Sequence, residues 1–322
     1  MKYKQLTSEE RYQIYVLKKA GNNQKVIASL INRSASTVSR ELKRNKGLRG
    51  YRPKQAHKFA NERAKNAFKY RKITPLIAGW IIEFLQRDFT PEQIAGRLLI
   101  EKKISLHHET IYRFIYQDKA NDGVLYKCLP RASKRYRKRY GSYDKRGKIV
   151  NRVSIDKRPL IVDKRSRIGD WEGDTILGKG RKNAFITLVE RKTLYTVCCR
   201  IESKHAEITA DALIKSIEHL KERVHTITFD NGKEFAAHER ISEKLDADIY
   251  FAHAYSSWER GINENTNGLI RRYFPKGTDF MLLSEEDIQA VIYQLNHRPR
   301  KTRGFKTPYE LFTGKPEKLL AA

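Results

Sequence analysis

Three carboxylates stand in segments whose residue types suit metal chemistry. Asp174 lies in G-D-W-E-G-D-T-I, Asp230 in T-F-D-N-G-K-E-F and Glu264 in W-E-R-G-I-N-E-N-T-N-G, with 33 residues between the second and the third. Grouped carboxylates hold hard divalent ions, and paired ions promote in-line attack on phosphodiesters. A carboxylate cluster repels a polyanion unless metal neutralises it. Its presence in a chain of net charge +29 therefore asks for an explanation. Each acid has rivals. Asp170, Glu172 and Asp174 share one face of a strand by the period of two. Asp174 is preferred because it leads into Thr175-Ile176-Leu177, and Asp170 and Glu172 are read as surface or supporting groups. Asn231-Gly232 favours a turn by itself, which is the plain reading of Asp230. Glu234 and Glu259 compete with Glu264.

The elements that must position these acids follow from pattern. Trp171 to Leu177, Ala184 to Glu190 and Leu194 to Ile201 read as strands separated by Gly or charged turns. Ala206 to Arg223 reads as an amphipathic helix, with Ile208, Leu213, Ile217 and Leu220 on one side. His225 to Phe229 is a fourth strand ending at Asp230. A helix over about Phe235 to Leu245 and a fifth strand over Asp248 to Ala252 follow. Ser256 and Glu259 predict a capping box that opens a helix to about Tyr273, carrying Glu264. Ser284 to His297 is the last long helix. A three-strand meander followed by helix, strand, helix, strand, helix is the order of an RNase H-like fold with a mixed five-stranded sheet.

Lys and Arg number 66 against 37 Asp and Glu, and the isoelectric point is near 10.0. That surplus implies a polyanionic partner, most simply nucleic acid. The three cysteines form no C-x-x-C pair, which argues against a zinc site or a disulfide framework. His107-His108 reads as a helix start. The N-terminus has no signal-peptide core, and the most apolar stretch, Leu76 to Leu85, is too short to span a bilayer. A bacterial cytoplasmic protein, on the nucleoid when DNA-bound, is expected.

Residues 1–50 read as a helix-turn-helix domain. Thr7 and Glu10 make a capping box, Gly21-Asn22-Asn23 breaks the first helix, and a short third helix starts near Ser34. Ser36, Thr37, Ser39, Arg40 and Arg44 are its candidate DNA contacts. Residues 51–72 are a basic linker. Residues 73–128 form a second all-α module, a degenerate copy in which Thr90 caps and Pro91 opens a helix. Thr110 and Arg113 stand in it where Thr37 and Arg40 stand in the first. Residues 129–164 are a basic arm, with ten Lys or Arg and one acid between 131 and 152 and tyrosines interleaved. Arg135, Arg137, Lys138 and Arg139 are expected to track phosphates there. Residues 165–322 are the α/β core. Arg271, near the face of Glu264, is a further candidate phosphate ligand.

W-E-G-D at 171–174, T-F-D-N-G-K-E-F at 228–235, the run from Tyr255 to Asp279 and L-N-H-R-P-R-K-T-R-G-F-K-T-P at 295–308 together resemble the IS-thirty family of insertion-sequence transposases. That family lies within the DDE transposase and retroviral integrase superfamily, and the resemblance covers nearly the whole chain. It departs at Ile262, Arg303 and Phe305. The resemblance implies that Asp174, Asp230 and Glu264 are the catalytic and metal-binding acids. It implies Mg²⁺ as cofactor, two ions with Mn²⁺ able to substitute, and double-stranded DNA, element ends and target, as partner. The expected activity is cleavage at terminal inverted repeats and transfer of the 3′ strand, by a homodimer or larger assembly. A DNA-binding regulator with an inert core, or a nuclease without strand transfer, are the alternatives.

Overall fold

The structure is a computed structural model that describes residues 5–66, 72–129, 149–253 and 256–320. Arg135, Arg137, Lys138 and Arg139 lie outside the described residues. The chain divides into two compact units at residue 72.

The first unit is a helical bundle with a small hairpin. Helices α1 (Ser8–Lys19), α2 (Gln24–Leu30) and α3 (Ala35–Arg44) each begin at a side-chain cap: Thr7 with Glu10, Asn23, and Ser34. Such caps satisfy amide donors that no helical carbonyl can reach. Ile14, Ile27, Val38 and Leu42 close the core. Beside them runs a buried ion pair. Arg11 Nε donates to Glu41 Oε1 at 2.8 Å, and the Tyr51 hydroxyl donates to the same oxygen at 3.1 Å. Glu41 therefore ties α3 to α1 and to the hairpin of β1 (Lys46–Gly47) and β2 (Gly50–Tyr51). The stretch read from sequence as a linker contains helix α4 (Pro53–Asn66), which packs on α1 and buries Ala56.

The second unit begins with three helices, α5 (Pro75–Gln86), α6 (Pro91–Lys102) and α7 (His108–Ala120). Thr90 and Gln93 form a capping box, Pro91 takes the first turn, and His107 caps α7. After the short helix α8 (Leu160–Lys164) comes a five-stranded mixed sheet. Its strands are β3 (Asp170–Leu177), β4 (Ala184–Glu190), β5 (Thr196–Ile201), β6 (Thr226–Phe229) and β7 (Asp248–Phe251), in the order β5-β4-β3-β6-β7. β3, β4 and β5 pair antiparallel, while β6 and β7 join parallel to β3. Helices α9 (Ala206–Ile217) and α10 (His238–Leu245) share a core with Trp171, Leu188, Ile227 and Phe229. Helices α11 (Gly261–Tyr273) and α12 (Glu285–Asn296) share another with Ile176 and Phe185. The helix expected over Ala206–Arg223 changes to a 3₁₀ turn after Ile217, and α13 (Pro308–Thr313) lays Phe312 against Trp171.

One expectation fails here for a local reason. The Ser256–Glu259 capping box does not form, because the Glu259 carboxylate takes the His253 amide at 2.9 Å and its Nδ1 at 2.8 Å. Helix α11 consequently starts at Gly261 without a side-chain cap of its own. Of the two readings of Asp170 and Glu172, surface or supporting, the structure removes the first. Both are buried, Asp170 against Arg167 and Thr226, Glu172 against Arg191. A sequence pattern marks a shared strand face, yet a charged face is buried when Arg partners arrive from elsewhere.

Candidate active site

Parallel register sets the first two acids side by side. Glu172 on β3 lies opposite Thr228 on β6, so two residues further on Asp174 comes beside Asp230, just past the end of β6. Neighbouring strands stand about 4.8 Å apart. Gly173 permits this approach, because a Cβ there would come within 2.3 Å of the Phe229 ring. Trp171 points into the core below, and Asp174 lies on the face that α11 covers.

Three groups fix the carboxylates of the two aspartates. Asn267 Nδ2 donates to Asp174 Oδ2 at 2.8 Å, and the Asn267 carbonyl accepts from Thr187 Oγ1 at 2.8 Å. The Gly232 amide donates to Asp230 Oδ1 at 3.0 Å. Arg260 straddles the pair, Nη1 at 3.4 Å from Asp174 Oδ1 and Nη2 at 3.5 Å from Asp230 Oδ2. Its Nη1 also donates to the Gly173 carbonyl at 3.1 Å. Burial lifts the Asp174 carboxyl above its usual range, Arg260 pulls it down, and the charge of Asp230 lifts it again. Nearby, Glu234 accepts from Thr175 Oγ1 at 2.9 Å and pairs with Lys204.

Glu264 does not join them. It is exposed one turn after Arg260, beside Gly261, Asn265, Gly268 and Leu269 around a shallow hollow of about 530 Å³. Among the described residues no three His, Cys, Asp or Glu side chains are grouped so as to hold an ion. The buried residues of α11 are instead Ile262, Asn263, Thr266 and Ile270. Asn263 has both side-chain amide atoms buried without a partner among the described residues, while its backbone N–H donates to Glu172 Oε2 at 3.3 Å. The all-oxygen pair Asp174 and Asp230 fits a hard divalent ion, and a cation already stands between them in the guanidinium of Arg260.

The DNA-contact candidates divide by exposure. Ser36, Ser39, Arg40 and Arg44 are exposed on α3, and Thr37 is half-buried. Ser34 shares hydrogen bonds with the hydroxyls of Ser36 and Thr37 at 3.0 and 2.8 Å. Thr37, Arg40, Arg44 and Arg63 line a cleft of about 730 Å³ between α3 and α4. On α7 Arg113 is exposed and Thr110 half-buried. Arg271 donates to the carbonyls of Leu177 and Pro275 and lies 5.6 Å from the Phe280 ring centre, bracing the end of β3. Sequence reasoning passed over Arg260 and Asn267, although the signal was present: Arg260 is one helical turn before Glu264 and Asn267 nearly one turn after it.

A family model described as an integrase core domain matches residues 165–257, and one described as a helix-turn-helix domain matches residues 2–45. The transposase for insertion sequence element IS4351 of Bacteroides fragilis is 43% identical over 311 residues, spanning 96% of this chain and 95% of that protein. The chain belongs to the IS30 family of insertion-sequence transposases. The IS30A transposase InsI of Escherichia coli K12 is 36% identical, over 95% of this chain and 82% of its own, and the IS1086 transposase of Cupriavidus metallidurans 34%, over 96% and 94%. A solved intasome of simian T-cell lymphotropic virus aligns with 48% of this chain and 56% of its own at 21% identity and a TM-score of 0.38, too slight a likeness to carry weight. As an IS30-family transposase the chain is a DNA-binding DDE enzyme with an integrase core, of a class that works with divalent metal.

Proposed function

We propose that Asp174, Asp230 and Glu264 are the acids with which this transposase cuts and joins DNA at the terminal inverted repeats of its element. The observation that carries the reading is the single Arg260 guanidinium set between Asp174 and Asp230 on adjacent parallel strands. Two acidic groups held this close, one of them partly desolvated, are stabilised in their charged form by a shared cation. Mg²⁺, with Mn²⁺ as a substitute and two ions in all, would sit on these carboxylates and supply charge neutralisation at the scissile phosphate and a more acidic attacking hydroxyl or water. Glu264 rides on the same helix as Arg260 and Asn267, so turning the first turns of α11 would carry it toward the aspartates. Asn267 and the Gly232 amide keep the aspartate oxygens aimed while DNA enters.

Ser36, Thr37, Ser39, Arg40 and Arg44 on α3 are assigned to the element ends, with Thr110 and Arg113 on α7 and the basic arm through Arg135, Arg137, Lys138 and Arg139 on flanking phosphates. Arg271 would hold a strand beside β3. Pairing two ends calls for a homodimer or larger assembly, working in the bacterial cytoplasm on the nucleoid. The test incubates the chain with end DNA, a target duplex and Mg²⁺ or Mn²⁺, and sequences the junctions. Joined product is expected. Asp230→Asn should lower joining by about 10³-fold or more, the loss of several kcal/mol of transition-state stabilisation. Undiminished joining by that variant would remove the acid assignment.

A further inference from the structure

The cation between the two aspartates belongs to the chain itself. Arg260 is largely buried, with 11% of its side chain exposed, and its Nε has no partner among the described residues. Its two terminal nitrogens face a different carboxylate each, and one of them also meets the Gly173 carbonyl. Arg260 precedes the first residue of α11, the helix that carries Glu264. We propose that Arg260 is a resident counterion for Asp174 and Asp230, which a divalent ion must displace before the site is loaded.

The proposal rests on the acid assignment above and adds to it a competitor within the chain. A guanidinium is a planar fork of donors that can bridge two carboxylates, but it brings one positive charge to two negative ones. It therefore holds the strand ends together without neutralising them. A divalent ion would bring both charges to the same two carboxylates, so the two cations would exclude one another. Affinity for metal is then reduced by the fraction of molecules in which Arg260 occupies the pair. If that arrangement outweighs the released one about ten to one, the apparent dissociation constant rises about tenfold. Two further features fit displacement. The start of α11 has no side-chain cap from its own N-cap residue, and Glu264 on the next turn is exposed. Releasing Arg260 frees the turn that must move if Glu264 is to approach.

The test uses the full chain stripped of metal and Mn²⁺ alone as the probe, with free Mn²⁺ followed by electron paramagnetic resonance. Arg260→Gln is expected to bind Mn²⁺ about tenfold more tightly than the parent chain. Arg260→Lys, which keeps the charge and loses the fork, should fall between them. In chelator, Arg260→Gln should melt below the parent, and added Mn²⁺ should close the gap. A residue needed only for folding would lower the melting temperature without tightening metal binding. Equal or weaker Mn²⁺ binding by Arg260→Gln, with Asp230→Asn losing it, overturns the counterion proposal alone. Unchanged Mn²⁺ binding by Asp230→Asn overturns the acid assignment and the proposal with it.

Discussion

Glu172 decides how firmly the third acid's helix is held. It is buried within W-E-G-D, with Oε1 2.6 Å from Arg191 Nη1 and Oε2 accepting the Asn263 amide. Helix α11 lacks its own cap, so a carboxylate reaching across from β3 satisfies an amide of its first turn and faces the positive end of the helix. Burial raises the Glu172 carboxyl above its usual range, and the Arg191 guanidinium beside it works against that rise. Removing one partner of a buried pair leaves the other charge uncompensated, which costs about 3–5 kcal/mol. Glu172→Ala should therefore lose about that much in urea unfolding. Glu172→Gln keeps the shape and an acceptor oxygen for the Asn263 amide and should lose less. Equal losses for the two variants would show that the charge facing Arg191 is the whole effect and that the oxygen offered to Asn263 adds nothing.

At the level of elements, the approach to α11 depends on a histidine. When protonated, His253 donates from Nδ1 to Glu259 at 2.8 Å and from Nε2 to Asp156 at 2.9 Å. Hydrogen bonds to Glu259 and then Asp156 raise it above the ordinary 6.5. A histidine raised on folding contributes stability that is fully present below pH 6.5 and lost as pH rises through the folded value. Hydrogen-exchange protection over residues 256–260 should exceed that of His253→Gln at pH 6, and the difference should shrink by pH 8. A constant difference across that range would exclude a charged His253. This link was not legible in the sequence, because Asp156 is remote along the chain and Glu259 read as half of a capping box. The strands around Asp174 and Asp230 were legible: Trp171 and Asp174 fall on opposite faces, and D-N-G ends β6. The position of Glu264 was not, because helical spacing says which residues share a face and not which face meets the sheet. Asn263 faces inward because Glu172 takes its amide, and that contact joins residues remote in sequence.

For the larger unit, the fastening lies between α6 and the end of the chain. Arg97 is fully buried and pairs with Glu101 at 2.7 Å and Glu310 at 2.8 Å. It also donates to the carbonyls of Phe305 and Glu317. Gly96 lets the Phe305 ring close on α6, since a Cβ there would lie 2.2 Å from it. Glu101 receives the amides of Leu319 and Leu320, and these two leucines complete the apolar core of α5, α6 and α7. Helices α5 to α7 are thus finished by residues some two hundred positions later. Arg97→Ala would leave Glu101 and Glu310 facing each other without their shared cation, again about 3–5 kcal/mol. At about 2–4 °C per kcal/mol for a unit of this size, the melting temperature should fall by about 10 °C. All three tryptophans, Trp80, Trp171 and Trp258, lie beyond residue 72, so tryptophan fluorescence follows this unit alone. The fluorescence transition should drop as a single step, because Arg97 works beside the Gln93–Arg298, Glu92–Lys301 and Asp88–Tyr273 contacts in joining α5 to α7 to the rest of the unit. A transition left at the parent temperature would mean that the apolar contacts of Leu319 and Leu320 hold the two parts together without Arg97.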